Sequence, residues 1–304
     1  MSRIVLILNT ADEPSETFQR ALAVDLAEDG HEVVIYAISG DLPPDGSLHP
    51  RVSYARLIPS PRASGALVAE VLHRSGPTRA ALRRARARWG RGRRANSAAL
   101  GVARLAALEP EVIHLGFSGI GASLADVFDI WDAVPVVVSC RGSDELVRPS
   151  FDADRRERLA RIFQRATIVH CVADAVADAA IDLGAPETSV RVVRPAVDLD
   201  RWVPAPRPAP GPPWRLVSTT RLVPAKGTED LLAAMAMLIE GGTEVTLEVI
   251  GSGPHRDALR LRAMRTGIAD RVEFAGAVAP DEVRRRLRGA HLYVSPSLSE
   301  GISN

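Results

Sequence analysis

Short apolar runs alternate with amphipathic patterns from the first residues of the chain. "RIVLIL" (3–8) leads to "SETFQRALAVDLAEDG" (15–30), a helical pattern closed by Gly30, and then to "HEVVIYAI" (31–38). Strand, helix, strand, with a helix long enough to cross over, is what two parallel strands require. The runs "EVIHLG", "PVVVSC", "ATIVHCV" and "VRVVRPA" read as further strands, with helices such as "DADRRERLARIFQRA" between them. This order predicts a doubly wound, Rossmann-like α/β domain over residues 1–197. Residues 198–214 follow as a connector, in which "VPAPRPAPGPPW" (203–214) has six prolines in twelve positions. Such a segment is stiff and cannot enter a sheet. Alternation then resumes over 215–304. The strands are "RLVSTT", "VTLEVIG", "RVEFAG" and "HLYVSPS", and the helices "TEDLLAAMAMLIEGG", "HRDALRLRAMRTG" and "APDEVRRRLRGA". The predicted architecture is two Rossmann-like α/β domains with a cleft between them, the second cut off while still alternating.

Composition narrows the class. A chain of 304 residues with 46% hydrophobic and 25% charged residues has enough apolar material for two cores. Net charge is +1, so any attraction to a polyanion must be local. Cys140 and Cys171 each end an apolar run without metal-ligand spacing, and read as buried reduced thiols of a cytoplasmic protein. The N-terminal "MSRIVLILNT" turns polar too soon for a signal peptide, and no uncharged apolar run approaches the ~20 residues of a membrane helix.

Two distributions of positive charge are unusual. Lys226 is the only lysine among 38 basic residues, so 37 are arginine. Chance survival of one surface lysine is the plain explanation. The alternative is a crowded place that needs a compact point charge instead of a planar fork. The second feature is "RAALRRARARWGRGRR" (79–94), with eight arginines and one tryptophan. It reads either as a basic amphipathic helix on anionic lipid or a phosphorylated acceptor, or as a solvated excursion. Its apolar face is mostly alanine, which favours the excursion. A single aromatic offers no stacking platform, so nucleic acid is not an expected partner.

In an open α/β sheet, ligands lie beyond the carboxyl ends of strands, where helices begin. "RLVSTTRLVPAKGTEDLL" puts Arg221 and Lys226 on such a loop, with Gly227 or Thr228 at the helix start, and so forms an anion site. "EVIGSGPHRDAL" is a second strand–turn–helix, whose Gly251 and Gly253 permit close backbone packing. In "HLYVSPSLSEGISN", Gly301, Ile302 and Ser303 should offer free N–H groups, with Glu300 beside them. A carboxylate there repels phosphate, so its expected partners are neutral hydroxyls. The combination suggests a sugar–phosphate ligand. "DLD" (198–200) matches a D-x-D metal motif but sits on the connector, and is taken as chance; no metal or other cofactor is expected.

The order "RLVPAKG … VIGSGP … RVEFAGAV … LYVSPSLSEGISN" resembles the donor domain of family 4 glycosyltransferases of the GT-B fold. The resemblance implies a retaining, metal-independent hexosyltransferase using a nucleotide-diphosphate sugar. Its acceptor would be a saccharide or lipid-linked molecule in cell-surface polysaccharide synthesis. Arg221 and Lys226 would hold the diphosphate, while Gly301, Ile302, Ser303, Gly251, Gly276 and Val278 would line the donor pocket. Glu300 would be the first glutamate of the family's E-x7-E motif and would contact the hexose. "PSETF" (14–18) and "SCRGSDE" (139–145) further resemble exopolysaccharide, colanic-acid-type members. This places Ser15, Glu16, Thr17 and Asp144 on the acceptor side and gives Arg141 the task of neutralising developing negative charge. The second glutamate of the motif would fall at 308, eight residues after Glu300, so the sequence is read as C-terminally incomplete and the 304-residue form as inactive or nearly so. The same fold also serves sugar-nucleotide epimerases, phosphorylases and non-catalytic sugar-nucleotide binders. "PSETF" argues against the first two. The expected location is cytoplasmic, and residues 79–94 are the segment that would make peripheral contact with an anionic membrane on the alternative to the solvated excursion.

Overall fold

The computed structural model describes residues 1–11, 17–56, 77–197, 199–200, 202–206 and 208–302. Two compact units emerge. One comprises Met1–Pro195 with the last residues from Gly301, and the other Ala196–Glu300. Gly301 groups with the first unit because it lies against the backbone of Arg141, where a Cβ would sit 2.3 Å from the carbonyl oxygen.

The first unit is built on a seven-stranded sheet. Its strands are β1 (Arg3–Thr10), β2 (Glu32–Ser39), β3 (Val52–Arg56), β4 (Val112–Leu115), β5 (Val136–Cys140), β6 (Ile168–Cys171) and β7 (Val190–Val192). They lie in the order β3-β2-β1-β4-β5-β6-β7, all parallel, so the order reverses between β1 and β4. The two-residue period of a strand explains how β1 serves both faces. Val5 and Ile7 enter one core with the helices Arg93–Ala106, Ser118–Phe128 and Ala153–Arg165, whereas Leu6 and Leu8 enter the other with Thr17–Glu28. All four are essentially inaccessible, and each such burial contributes roughly 1.5–3 kcal/mol.

The second unit carries β8 (Trp214–Thr219), β9 (Val245–Ile250), β10 (Val272–Gly276) and β11 (Leu292–Tyr293), parallel in the order β10-β9-β8-β11. The helices Thr228–Glu240 and Arg256–Arg265 bury Leu231, Leu232, Met235, Leu259 and Ala263 against Leu216, Leu247 and Val249. The connector is tied to this unit: Arg288 donates to the Val203 carbonyl at 3.1 Å, and His291 Nε2 lies 3.0 Å from that of Ala209.

The alternation expected from sequence is present, with three departures. Residues 79–94 are not one helix. The helix Pro77–Trp89 ends at Gly90, whose φ of 72 suits glycine, and a second helix begins at Arg93. "HLYVSPS" pairs only at Leu292 and Tyr293, with further bonds from His291 to Arg215 and from Val294 to Val217, because Pro296 has no N–H to continue the ladder. The strand β3 and the helices Arg93–Ala106, Ser118–Phe128 and Asp174–Asp182 went unread. Cys140 and Cys171 are free, buried and register partners on β5 and β6; burial pushes the Cys140 thiol upward. Among the described residues, no helix is long and apolar enough to cross a membrane.

Candidate functional site

In the second unit, the loops leaving β8, β9, β10 and β11 are stitched together at their carboxyl ends. Thr220 donates to Ile250, Gly251 to Gly276, Leu222 to Ser252 and Leu298 to Ala225, all at 2.8–3.0 Å. The close packing expected of Gly251 is real: a Cβ there would lie 1.9 Å from the Thr220 carbonyl oxygen, and one on Gly253 2.4 Å from that of Leu222. Gly276 has a positive φ of 77 and open space around it, and Val278 is half-buried two residues on.

This stitching fixes Lys226. Residues Pro224–Lys226 form one turn of 3-10 helix, and Gly227, with φ of 63, caps the helix Thr228–Glu240. A Cβ on Gly227 would fall 2.1 Å from the Pro296 carbonyl oxygen, so only glycine lets the two loops meet here. Across that meeting the Lys226 ammonium pairs with the Glu300 carboxylate, their side chains 19% and 32% exposed. Thr228, the first residue of the helix, is buried, and its hydroxyl has no hydrogen-bond partner among the described residues. Arg221 is exposed, and its guanidinium has no acidic partner among them. The structure thus brings Lys226 and Glu300 together at the N-terminus of the helix that Thr228 begins. Sequence reasoning passed over Thr228 as a site residue; its signal was a hydroxyl residue directly after "KG" at a helix start. Among the described residues no helix begins at Gly301 or Ile302, and Ser303 lies outside them.

In the first unit, Arg141 follows β5. Its guanidinium lies 4.1 Å from the Phe18 ring centroid and 5.8 Å from that of Phe117, and Nε donates to the Gly116 carbonyl at 3.1 Å. Asp144 turns towards the helix Ser118–Phe128, where it accepts from the Gly119 N–H at 3.1 Å and from Arg155 at 2.6 Å. Its neighbour Glu145 is buried and accepts from the Ser118 hydroxyl and, at 2.8 Å, from the Gly142 N–H. Burial raises the Glu145 pKa against the lowering effect of these donors. The two carboxylates therefore tie the loop carrying Arg141 to a helix N-terminus, a favourable place for negative charge. Ser15 and Glu16, and the side chain of Thr17, lie outside the described residues.

A polar chain missed from sequence crosses three neighbouring strands of this sheet. His114 Nε2 lies 2.8 Å from Ser139 Oγ, Ser139 Oγ 2.9 Å from His170 Nδ1, and His170 Nε2 2.9 Å from the Val193 carbonyl. A carbonyl only accepts, so neutral His170 carries its proton on Nε2, Ser139 donates to Nδ1, and His114 donates to Ser139. Burial, chiefly, lowers His114 to about 3, and the positive charge of Arg141 acts in the same direction.

Comparison with known proteins agrees with this architecture. Residues 15–201 match the family described as Glycosyltransferase Family 4, and residues 204–303 that described as Glycosyl transferases group 1. The chain belongs to glycosyltransferase family 4. It is 29% identical over 139 residues to a putative colanic acid biosynthesis glycosyltransferase, WcaL, of Escherichia coli, covering 46% of this chain. It is 32% identical over 124 residues (38% of this chain) to a GDP-mannose-dependent phosphatidylinositol monomannoside mannosyltransferase of Mycobacterium tuberculosis. The matched stretches span only 34% and 32% of those relatives' own lengths. Among solved structures, Anabaena HepE in complex with UDP and glucose superposes with a TM-score of 0.67 at 17% identity. The match covers 98% of this chain and 74% of HepE. Sucrose-phosphate synthase from Thermosynechococcus elongatus gives 0.72 at 16%, covering 100% and 77%. These likenesses establish the GT-B fold.

Proposed function

We propose that the protein is a retaining, metal-independent glycosyltransferase. It moves a hexose from a nucleoside-diphosphate sugar to a saccharide or lipid-linked acceptor, on the cytoplasmic side, in cell-surface polysaccharide synthesis. One observation carries the reading: the chain's only lysine sits at the N-terminus of the Thr228–Glu240 helix, on loops locked by Gly227 and Gly251, with Glu300 as its partner. A helix N-terminus, an ammonium group and a protein-unpaired Thr228 hydroxyl suit a diphosphate. HepE has been solved with UDP-glucose, and WcaL is described as a colanic acid biosynthesis enzyme, which supports a nucleotide-sugar donor and a polysaccharide product.

In the proposed reaction the bond from the anomeric carbon to the diphosphate oxygen breaks, and its electron pair leaves with the nucleoside diphosphate. An acceptor hydroxyl oxygen bonds to the same carbon on the same face, and its proton passes to the departing phosphate or to solvent. Lys226 and Arg221 stabilise the charge that develops on the leaving group, which is where fixed cations contribute most. Arrival of the diphosphate draws Lys226 away from Glu300, freeing the carboxylate to accept from hexose hydroxyls. Gly251, Gly276 and Val278 serve the donor side, and the family resemblance assigns the same task to Gly301, Ile302 and Ser303. Ser15, Glu16, Thr17 and Asp144 serve the acceptor side, with Arg141 as the positive charge.

Calorimetric titration with UDP and with GDP tests the donor site. One of them is expected to bind the folded protein and to lose affinity in Lys226→Ala. Absence of binding by either overturns the reading.

A further inference from the structure

The eight arginines between Arg79 and Arg94 divide by what they touch. Arg84 lies 2.8 Å from Asp132, Arg88 3.0 Å from Asp129, and Arg94 holds Asp126 through two bonds of 2.7 Å. Arg94 and Arg88 also cover the Trp89 ring, at 4.8 and 5.7 Å from its centroid. These three fasten the helix pair to the far end of the Ser118–Phe128 helix, and Arg79 is likewise engaged. Arg83, Arg86, Arg91 and Arg93 are different. All four are exposed, and none has an ion pair among the described residues.

Helical geometry explains the division. Ala81, Leu82 and Ala85 point into the core, Arg84 and Arg88 flank them, and Arg83 and Arg86 share the outer side one turn apart. Arg91 and Arg93 prolong that positive stripe into the link and the next helix. No acidic residue occurs between residues 77 and 106 to neutralise it.

We propose that Arg83, Arg86, Arg91 and Arg93 form a docking surface for an anionic phospholipid membrane, binding lipid phosphates without inserting apolar side chains. Guanidinium groups match phosphate geometry, and the protein's net charge of +1 means that the attraction is concentrated at this stripe. Trp89 is half-buried beneath Arg88 and Arg94, which leaves neither a wedge for the bilayer interior nor a platform for stacking bases. The biological use of this surface rests on the reading that the acceptor is lipid-linked; its test does not.

The test is co-sedimentation of the whole protein with phosphatidylcholine vesicles, with and without phosphatidylglycerol. Binding is expected only with the anionic lipid and is lost as salt shortens the screening length below ~8 Å. Each Arg→Gln change at the four positions lowers the partition coefficient roughly fivefold, and the quadruple variant sediments as the lipid-free protein does. Arg84→Gln lowers the melting temperature but leaves partitioning nearly intact. A wild-type protein that ignores anionic vesicles, or a folded quadruple variant that binds them as well as wild type, overturns the proposal. So does tighter binding to a soluble polyanion such as heparin at equal salt. Nucleoside diphosphate titration of the same samples separates the two readings. Loss of vesicle binding with intact nucleotide binding removes only the docking surface, and vesicle binding without nucleotide binding removes only the transferase.

Discussion

Lys226 and Glu300 stand 74 residues apart in sequence and share an ion pair across two loops that Gly227 alone lets come together. In this pair the carboxylate holds the ammonium on station, and on the proposed function a diphosphate competes for it.

Replacing Lys226 by Ala should weaken nucleoside diphosphate binding by about 1.5–3 kcal/mol, roughly 10- to 150-fold in Kd. Lys226→Arg should recover only part of this, because a planar fork does not fit the space of a point charge. Calorimetry showing full affinity in the Arg variant would refute the argument for a compact cation.

Glu300→Gln removes the competitor for Lys226 but keeps a group that can meet sugar hydroxyls. Free nucleoside diphosphate should therefore bind no more weakly than to wild type, while turnover, read as nucleoside diphosphate release in an active chain, falls sharply. Equal loss of both would make Glu300 a support for Lys226 and nothing more.

Gly227→Ala places a Cβ 2.1 Å from the Pro296 carbonyl at a φ of 63. Left-handed backbone alone costs about 1–2 kcal/mol, and the loop must also move. Urea unfolding should show a loss of about 2 kcal/mol or more, with nucleotide binding impaired beyond what stability explains. An Ala variant as stable as wild type would mean that the loops are not locked.

His114, lowered to about 3 chiefly by burial, is neutral in the fold, whereas the unfolded chain takes up its proton near 6.5. The unfolded state then binds more protons, so stability is complete above about pH 6.5 and falls as pH drops towards 3. Burial lowers His170 too, and it adds in the same direction. Melting temperatures between pH 6.5 and 4.5 should decline in wild type and less so in His114→Gln, whose amide can still donate to Ser139. An unchanged slope in that variant would assign the effect elsewhere.

Much of the fold was legible because its strands are apolar runs broken by long helical patterns. Val5 to Leu8 need no tertiary information to be read as a strand buried on two faces. The helices Arg93–Ala106 and Ser118–Phe128 escaped because alanine, glycine and serine supply most of their buried positions, and small residues give a faint period. The strand β3, "VSYAR", is short and half polar. Lys226 stood out by composition, and Glu300 by its resemblance to a family motif. Their pairing could not be read from sequence, because it depends on β11 lying beside β8 instead of beside β10. His114, Ser139 and His170 were polar interruptions in three apolar runs, a signal that acquires meaning only once β4, β5 and β6 are known to be neighbours.

Cys140 and Cys171 face one another across β5 and β6, are inaccessible to solvent, and are the protein's only thiols. A thiol-specific dye cannot react with either until that seam parts. The native chain thus carries its own stopwatch: labelling times the opening of the Met1–Pro195 body and stays silent for Ala196–Glu300. Breathing of one half can be clocked while the other is titrated with nucleotide, with no engineered probe in either.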